Sequence, residues 1–363
     1  MKKWTEKHEY YLSEVIFPIE KKLMEIMVGQ NNVVRRVVQG LFAVGQRDIT
    51  QSGEKFLGTG HTLCEGPVGT GKTVLCKCLS RLLAGDNNRV SGIPDALASD
   101  ILGCEIILLT GESKTVKGPI FCSILLADEI NRFPPKAQTA FIEALAEGTV
   151  TIGETSYQLN EPFFCLATQN PTEQKGTSRM QEALSDRFMF KLILRENSAS
   201  EMADIAQRTR LSSFESLKPI VDARLVQETR LFFYDPDNFY VSEAISGCCA
   251  KLIWAINHPT EYNLFNKEIE ILDGEHMFKQ KPAINNRGIL HLEGAAMIEA
   301  AWHRRSYVLP TDIYAVAADV LRARMMIADS SLHALLEDNE NYRTETELCD
   351  YLIKQALDKV VLP

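Results

Sequence analysis

Eight consecutive residues, Gly66, Pro67, Val68, Gly69, Thr70, Gly71, Lys72 and Thr73, fit G-x-x-x-x-G-K-[ST], the pattern of a loop that cradles phosphate. The glycines let backbone N–H groups turn inward onto a triphosphate. Lys72 can reach the β- and γ-phosphates, and the Thr73 hydroxyl can ligate Mg2+. Such a match also arises by chance, so its surroundings decide. The preceding stretch, His61-Thr62-Leu63-Cys64, has strand character. Leu75, Leu79, Leu82 and Leu83 then recur at helix spacing, which predicts a helix over 74–83. Strand, loop and helix in that order place a helix N-terminus under the phosphates.

A second acidic element follows at Cys122-Ser123-Ile124-Leu125-Leu126-Ala127-Asp128-Glu129. A continuous apolar run is how a parallel strand buried on both faces reads. At its carboxyl end Asp128 can hold Mg2+ through water, and Glu129 can polarise the attacking water as general base. Phe163-Phe164-Cys165-Leu166-Ala167-Thr168 predicts another buried strand, with Gln169-Asn170 at its end. In open α/β sheets ligands lie beyond the carboxyl ends of the strands, so Asn170 points toward the γ-phosphate, where its amide can orient water.

Around these elements the chain reads as follows. The first 20 residues suggest an amphipathic helix broken near Pro18. Asn31 or Asn32 is a suitable N-cap for a helix whose apolar stripe is Val33, Val34, Val37, Val38, Leu41 and Phe42. The stretch 89–119 looks irregular and is expected to be an insertion with short hairpins. A helix is expected over 136–147, and 149–159 reads as a β-hairpin. Ser185-Asp186-Arg187-Phe188 precedes a strand over 189–194, and an arginine there could reach a neighbouring subunit's nucleotide. From 199 onward the pattern is helical. Helices are expected over 245–256, over 289–303 with Leu290, Gly294, Met297, Ile298 and Ala301 inward, and over 313–326 with Thr311 as N-cap. Arg287 precedes the second of these and could aim at the nucleotide. The stretch 259–282 reads as a loop, 337–347 as an acidic linker, and Leu348, Tyr351, Leu352 and Ala356 as the seam of a last helix.

The bulk properties limit the alternatives. The 363 residues are 45% hydrophobic and 24% charged, enough for two domains, and the net charge is −9. That balance weighs against a protein whose main task is to coat nucleic acid. No run of about 18 or more apolar residues is present, so no membrane span is expected. The charged opening Met1-Lys2-Lys3-Trp4 does not read as a signal peptide. Nine scattered cysteines, an odd number, suggest reduced thiols and a cytoplasmic location rather than a disulfide framework. Cys76 and Cys78, two apart on a helix, do not share a face. The seven histidines do not cluster, and Mg2+ with ATP is the only cofactor set implied.

Together these residues resemble the MoxR-type AAA+ ATPases, closely from about 28 to 194. The segment Leu126-Ala127-Asp128-Glu129-Ile130-Asn131-Arg132-Phe133-Pro134-Pro135-Lys136 is similar to that family's extended Walker B stretch, and Ala167-Thr168-Gln169-Asn170-Pro171 to its sensor 1. Pro94-Asp95, Ser99-Asp100-Ile101 and Gly118-Pro119-Ile120-Phe121 resemble its insertion. The resemblance implies an α/β fold: an AAA+ P-loop core with a parallel five-stranded sheet of order 5-1-4-3-2, then a small all-α lid. The expected boundaries are 1–195 for the core with its N-terminal helices, 196–336 for the lid, and 337–363 for an acidic linker and C-terminal helix. It further implies a hexameric ring with ATP between subunits, Arg187 as an arginine finger acting in trans, and Arg287 as the lid's sensor 2. Gly29, Gln30 and Val74 are counted with the nucleotide-binding residues. Members act as chaperone-like ATPases on protein complexes, often with a von Willebrand factor A-type partner. Two other readings stay open: a nucleic-acid motor, suggested by the 149–159 hairpin although it carries no Lys or Arg, and a nucleotide-gated binding module with little turnover.

Overall fold

The computed structural model describes residues 3–49, 55–170, 180–211, 217–264, 277–279, 282–336 and 342–360. Its centre is a parallel sheet of five strands: β1 (Thr62–Glu65), β2 (Asn87–Ser91), β3 (Ile124–Asp128), β4 (Phe164–Gln169) and β5 (Phe190–Ile193). They lie in the order β5-β1-β4-β3-β2, as the resemblance implies. The register sets Thr62 beside both Leu166 and Phe190, Ile124 beside Phe164, and Asn87 beside Ile124.

Alternation along the strands sorts the side chains onto two faces. Cys64, Ile124, Leu126, Phe164 and Leu166 belong to one buried cluster, with the helices Asn31–Phe42 and Lys72–Leu82 and the helices after 199. Leu63, Leu125, Ala127, Cys165 and Ala167 belong to the other, with the helix Pro135–Glu147 and the hairpins. All six residues of the 33–42 stripe are buried.

Several expectations need correction. The expected insertion at 89–119 contains most of β2, an edge strand. It escapes a hydrophobic reading because only Val90 of Asn87–Ser91 is buried. The true insertion begins at the helix Ala98–Leu102 and continues as the antiparallel hairpin Gly103–Ile107/Ser113–Lys117, whose Ile107 and Leu109 are 81% and 110% exposed. Pro18 breaks nothing. It sits in the first turn of Phe17–Ile26, where a missing N–H is tolerated, behind a π-helical stretch Tyr11–Ile16 that continues Glu6–Tyr10. Asn31 and Asn32 lie inside the helix that Gln30 precedes. Leu309, not Thr311, is the cap residue of its helix, Pro310 takes the first helical position, and the Asp312 carboxylate accepts from Leu309 N–H at 2.8 Å. Leu290 is exposed, while Gly294, Ile298 and Ala301 are buried. The hairpin Thr149–Ile152/Thr155–Gln158 is present as expected. The expected loop 259–282 falls largely outside the described residues, as do 337–341 of the expected linker 337–347, and Glu345 already begins the last helix.

The helical part is not a loose appendage. A two-residue strand, Val221–Asp222, pairs with Leu83–Ala84 of the core. Arg36, on the helix Asn31–Phe42, donates to Glu299 and Gln39 at 2.6 Å each and to Asp319 at 3.0 Å, joining that helix to Asn286–Trp302 and Pro310–Leu321. Burial pushes the Glu299 carboxyl up, but Arg36 and Gln39 outweigh it and the net shift is downward. The last helix, Glu345–Lys359, buries Leu348, Leu352 and Ala356 in the same cluster.

One buried side chain reports on core protonation. His61 Nδ1 accepts from Cys165 N–H at 3.1 Å, which leaves Nε2 as the protonated nitrogen, 3.2 Å from the Leu145 carbonyl. Burial lowers its pKa from 6.5 to about 3. The unfolded chain therefore takes up a proton that the folded chain refuses, and stability falls as pH drops from 6.5 toward 3. By that linkage His61 contributes a loss of about 2 kcal/mol between pH 7 and pH 5. Urea denaturation at the two pH values is expected to show this difference shrinking by about that amount in His61→Gln. An unchanged pH dependence would refute the assignment.

Candidate functional site

The phosphate loop follows β1 and feeds directly into the helix Lys72–Leu82, two residues earlier than helix spacing alone predicts. Gly69 and Gly71 hold φ of +87° and +90°, left-handed conformations that side chains rarely adopt. They turn the loop so that the first N–H groups of the helix face one point. Lys72 Nζ donates to the carbonyls of Gly66 and Pro67 at 2.6 and 2.7 Å, and burial is the main cause of its lowered pKa.

Five polar side chains from three adjacent strand ends, Thr73, Asp128, Glu129, Thr168 and Asn170, meet at this loop. Thr73 Oγ lies 3.3 Å from one Asp128 oxygen and 3.5 Å from the other. Thr168 Oγ donates to Asp128 at 2.5 Å and accepts from Glu129 N–H at 3.0 Å. Asn170 Nδ2 donates to Glu129 Oε1 at 3.1 Å, and Arg132 pairs with the other carboxylate oxygen. Glu129 itself adopts φ 52°, ψ 50°, a strained conformation for a residue with a Cβ. Gly92, just past β2, donates its N–H to the Asp128 carbonyl at 2.8 Å. A Cβ there would stand 2.1 Å from the Glu129 carbonyl. A hydroxyl beside a carboxylate is a hard-oxygen set that suits a small divalent cation. The carboxylate and amide beyond it can position water for attack.

Beside the loop lies a cavity of about 570 Å³, lined by Met27, Val28, Gly69, Thr70, Gly71, Val74, Asn197, Ile205, Leu217 and Ile220 among others. Its apolar part, Met27, Val28, Val74, Ile205, Leu217 and Ile220, suits a flat heteroaromatic ring, while Lys22, Glu25, Arg208 and Lys218 add charge to the lining. The Asn197 Oδ1 is buried without a partner, an acceptor matched to an exocyclic amino group. Val74 is in this wall as expected. Gly29 and Gln30 stand behind it instead: Gln30 Nε2 donates to the Arg195 carbonyl at 2.9 Å, and Arg195 donates to the Gly29 carbonyl at 3.0 Å. They brace the wall through the segment that follows β5.

Arg187 and Arg287 are not at this loop. Both are bound to one carboxylate, Asp186, at 3.2 and 2.5 Å. Arg324 reaches its other oxygen at 3.1 Å, and Asn285 Nδ2 donates at 3.0 Å. Asp186 precedes the amino end of β5, whereas the loop lies at the carboxyl end of the neighbouring β1. Phe190 pairs with Thr62, four residues before Gly66, so about 13 Å of strand rise separates the two. The resemblance implies a sensor 2 role for Arg287; in this chain Asp186 holds it beside Arg187, at the opposite end of β5 from the phosphate loop.

Comparison with known proteins agrees with this geometry. Residues 61–190 match the ATPase family associated with various cellular activities (AAA), and residues 283–342 match an AAA lid domain. An uncharacterized protein, YeaC, of Bacillus subtilis is 34% identical over 288 residues, 78% of this chain and 83% of that one. The chaperone MoxR1 of Mycobacterium tuberculosis is 29% identical over 322 residues, 88% of this chain and 77% of its own. A crystal structure from Cytophaga hutchinsonii that carries a provisional ATPase label superposes with a TM-score of 0.76 at 30% identity, covering 99% of this chain and 97% of that one. The chain belongs to the MoxR-type AAA+ ATPases. As a member of that family it binds nucleotide and hydrolyses ATP. No described helix is long and apolar enough to cross a membrane.

For this MoxR-type ATPase, the sequence reading found the loop, Asp128, Glu129 and Asn170, and the structure brings them together. It missed Thr168, Asp186 and the wall of the cavity beside the loop. Asp186 carried a signal in its place beside Arg187. The wall carried none, because its residues come from separate stretches. Gly92→Ala is expected to displace Glu129 and lower kcat on the order of tenfold or more, with ATP affinity nearly unchanged. Phosphate release and fluorescent-nucleotide titration measure the two, and full turnover in the variant would show that Gly92 does not set the position of Glu129.

Proposed function

We propose that this ATPase works as a Mg2+-dependent, ring-forming remodelling or activation factor for a protein complex. In this reading Thr73 and Asp128 hold the metal, Glu129 is the general base, Asn170 orients water, and Arg187 and Arg287 act together on the ATP of the adjacent subunit. Each nucleotide would then lie between two copies, as in a hexamer.

The observation that carries this reading is the separation along β5. Arg187 and Arg287 share Asp186 at the strand's amino end, with Leu194 beside Gly66 at the other end. Neither arginine can reach the phosphate loop of its own chain, yet Arg187 is partly exposed where a neighbour's loop can approach. Mg2+ is supported by the oxygen set at Thr73 and Asp128, and it would stabilise the charge on the phosphates as bonds change. A chaperone-type role, with a von Willebrand factor A-type protein as partner, rests on membership of the MoxR-type family. The division into 1–195, 196–336 and 337–363 is retained as a functional one, although the three share a core. Buried thiols throughout the chain support a cytoplasmic setting. The hairpin Thr149–Ile152/Thr155–Gln158 offers no cation to nucleic-acid phosphates, which weighs against that alternative.

Glu129→Gln is expected to bind ATP and hydrolyse it slowly, and normal turnover would remove Glu129 as base. Arg187→Ala is expected to bind nucleotide and lose about 10³-fold or more in hydrolysis, as when a trans arginine is removed. Mixing it with Lys72→Ala should restore part of the activity, since a ring of both contains intact interfaces. Mixtures no more active than the separate variants would contradict a role in trans.

A further inference from the structure

The mechanism above uses Asp128 as a metal-holding carboxylate, but a cation of the chain itself already sits on it. Arg89 Nη2 donates to Asp128 Oδ2 at 2.6 Å. Arg89 is on β2 opposite Leu126 of β3, two residues before Asp128. Residues two apart on a strand share a face, so the guanidinium lies along β3 and ends at its last carboxylate. The other Asp128 oxygen is taken by the Thr168 hydroxyl at 2.5 Å. The only charge facing the Thr73 side of Asp128 within hydrogen-bond distance, among the described residues, is that of Arg89.

The two partners differ in freedom. The Asp128 side chain is 9% exposed, whereas Arg89, on an edge strand, is 46% exposed. Asp128 is fixed, and Arg89 can swing to solvent without opening the core. We propose that Arg89 competes with Mg2+ for Asp128: it neutralises the carboxylate while metal-free nucleotide approaches the loop, and it is displaced when the metal takes the same oxygen. Arg89 is a positioning residue, acting on phosphates only through Asp128. The inference rests on Asp128 holding Mg2+.

This arrangement has a signature that a structural role lacks. Removing the guanidinium exposes the phosphates of a metal-free nucleotide to an uncompensated carboxylate, so affinity without metal falls. The same change frees the carboxylate, so less Mg2+ is needed for half-maximal binding. Arg89→Met keeps most of the apolar stem and loses the charge. Binding of a fluorescent, non-hydrolysable ATP analogue, measured in EDTA and across a MgCl2 titration, is expected to show both effects. Each is expected to be about two- to fivefold, the range of a partly exposed ion pair. In an Asp128→Asn background the Arg89 substitution should change neither quantity. Melting temperature confirms that each variant is folded. Affinities that move in the same direction, or do not move, overturn the proposal, as does an effect that persists with Asp128→Asn. Wild-type binding that ignores Mg2+ overturns instead the reading that Asp128 holds metal, and this proposal with it.

Discussion

All five strands of the central sheet run the same way, and most of the site's logic follows from that constraint. Parallel strands deliver their carboxyl ends to one edge, so the loop after β1, Asp128 and Glu129 after β3, and Asn170 after β4 converge there without long side chains. The same polarity sends whatever precedes β5 to the opposite edge. Phosphate-binding groups and the Asp186 arginines are therefore kept a strand length apart in one chain.

Asp186 and Arg36 bind the helical part of the molecule to the core from two sides. Asp186 gathers Arg187, Arg287 and Arg324, the last of which also meets the buried His291. Three cations around one carboxylate repel one another. Burial, then the Arg287 charge, lowers the pKa of Arg187, and burial brings Arg324 to about 10. Such a cluster holds only while Asp186 stays charged and in place, so the two outer arginines have a shared geometry. Arg36 does the reverse, one cation shared among Gln39, Glu299 and Asp319.

Legibility in the sequence tracked burial and locality. β3 and β4 are sealed on both faces and read as apolar runs, and the loop is contiguous, so 66–73, Asp128, Glu129 and Asn170 were all visible. β2 was hidden because an edge strand buries little, and its Asn87-Asn88 reads as a turn. The cavity beside the loop was hidden because Met27, Val74, Asn197 and Leu217 are neighbours only after folding. Leu290 misled because helix periodicity locates a stripe without its margins. Arg287 was legible only as a cation ahead of a helix; its place beside Arg187 depends on Asp186 and the direction of β5, which its residue type does not announce.

The insertion hairpin has a bearing on how the protein behaves in solution. Ile106, Ile107, Leu108 and Leu109 stand in a row at its tip, all exposed, on a two-stranded ribbon with open edges. An apolar tip of this kind lowers the colloidal stability of a concentrated sample, and free ribbon edges add a template for strand pairing. An ion-pair contact between subunits weakens as ionic strength rises, whereas sticking through the tip strengthens in salting-out conditions, so the salt response tells the two kinds of self-association apart.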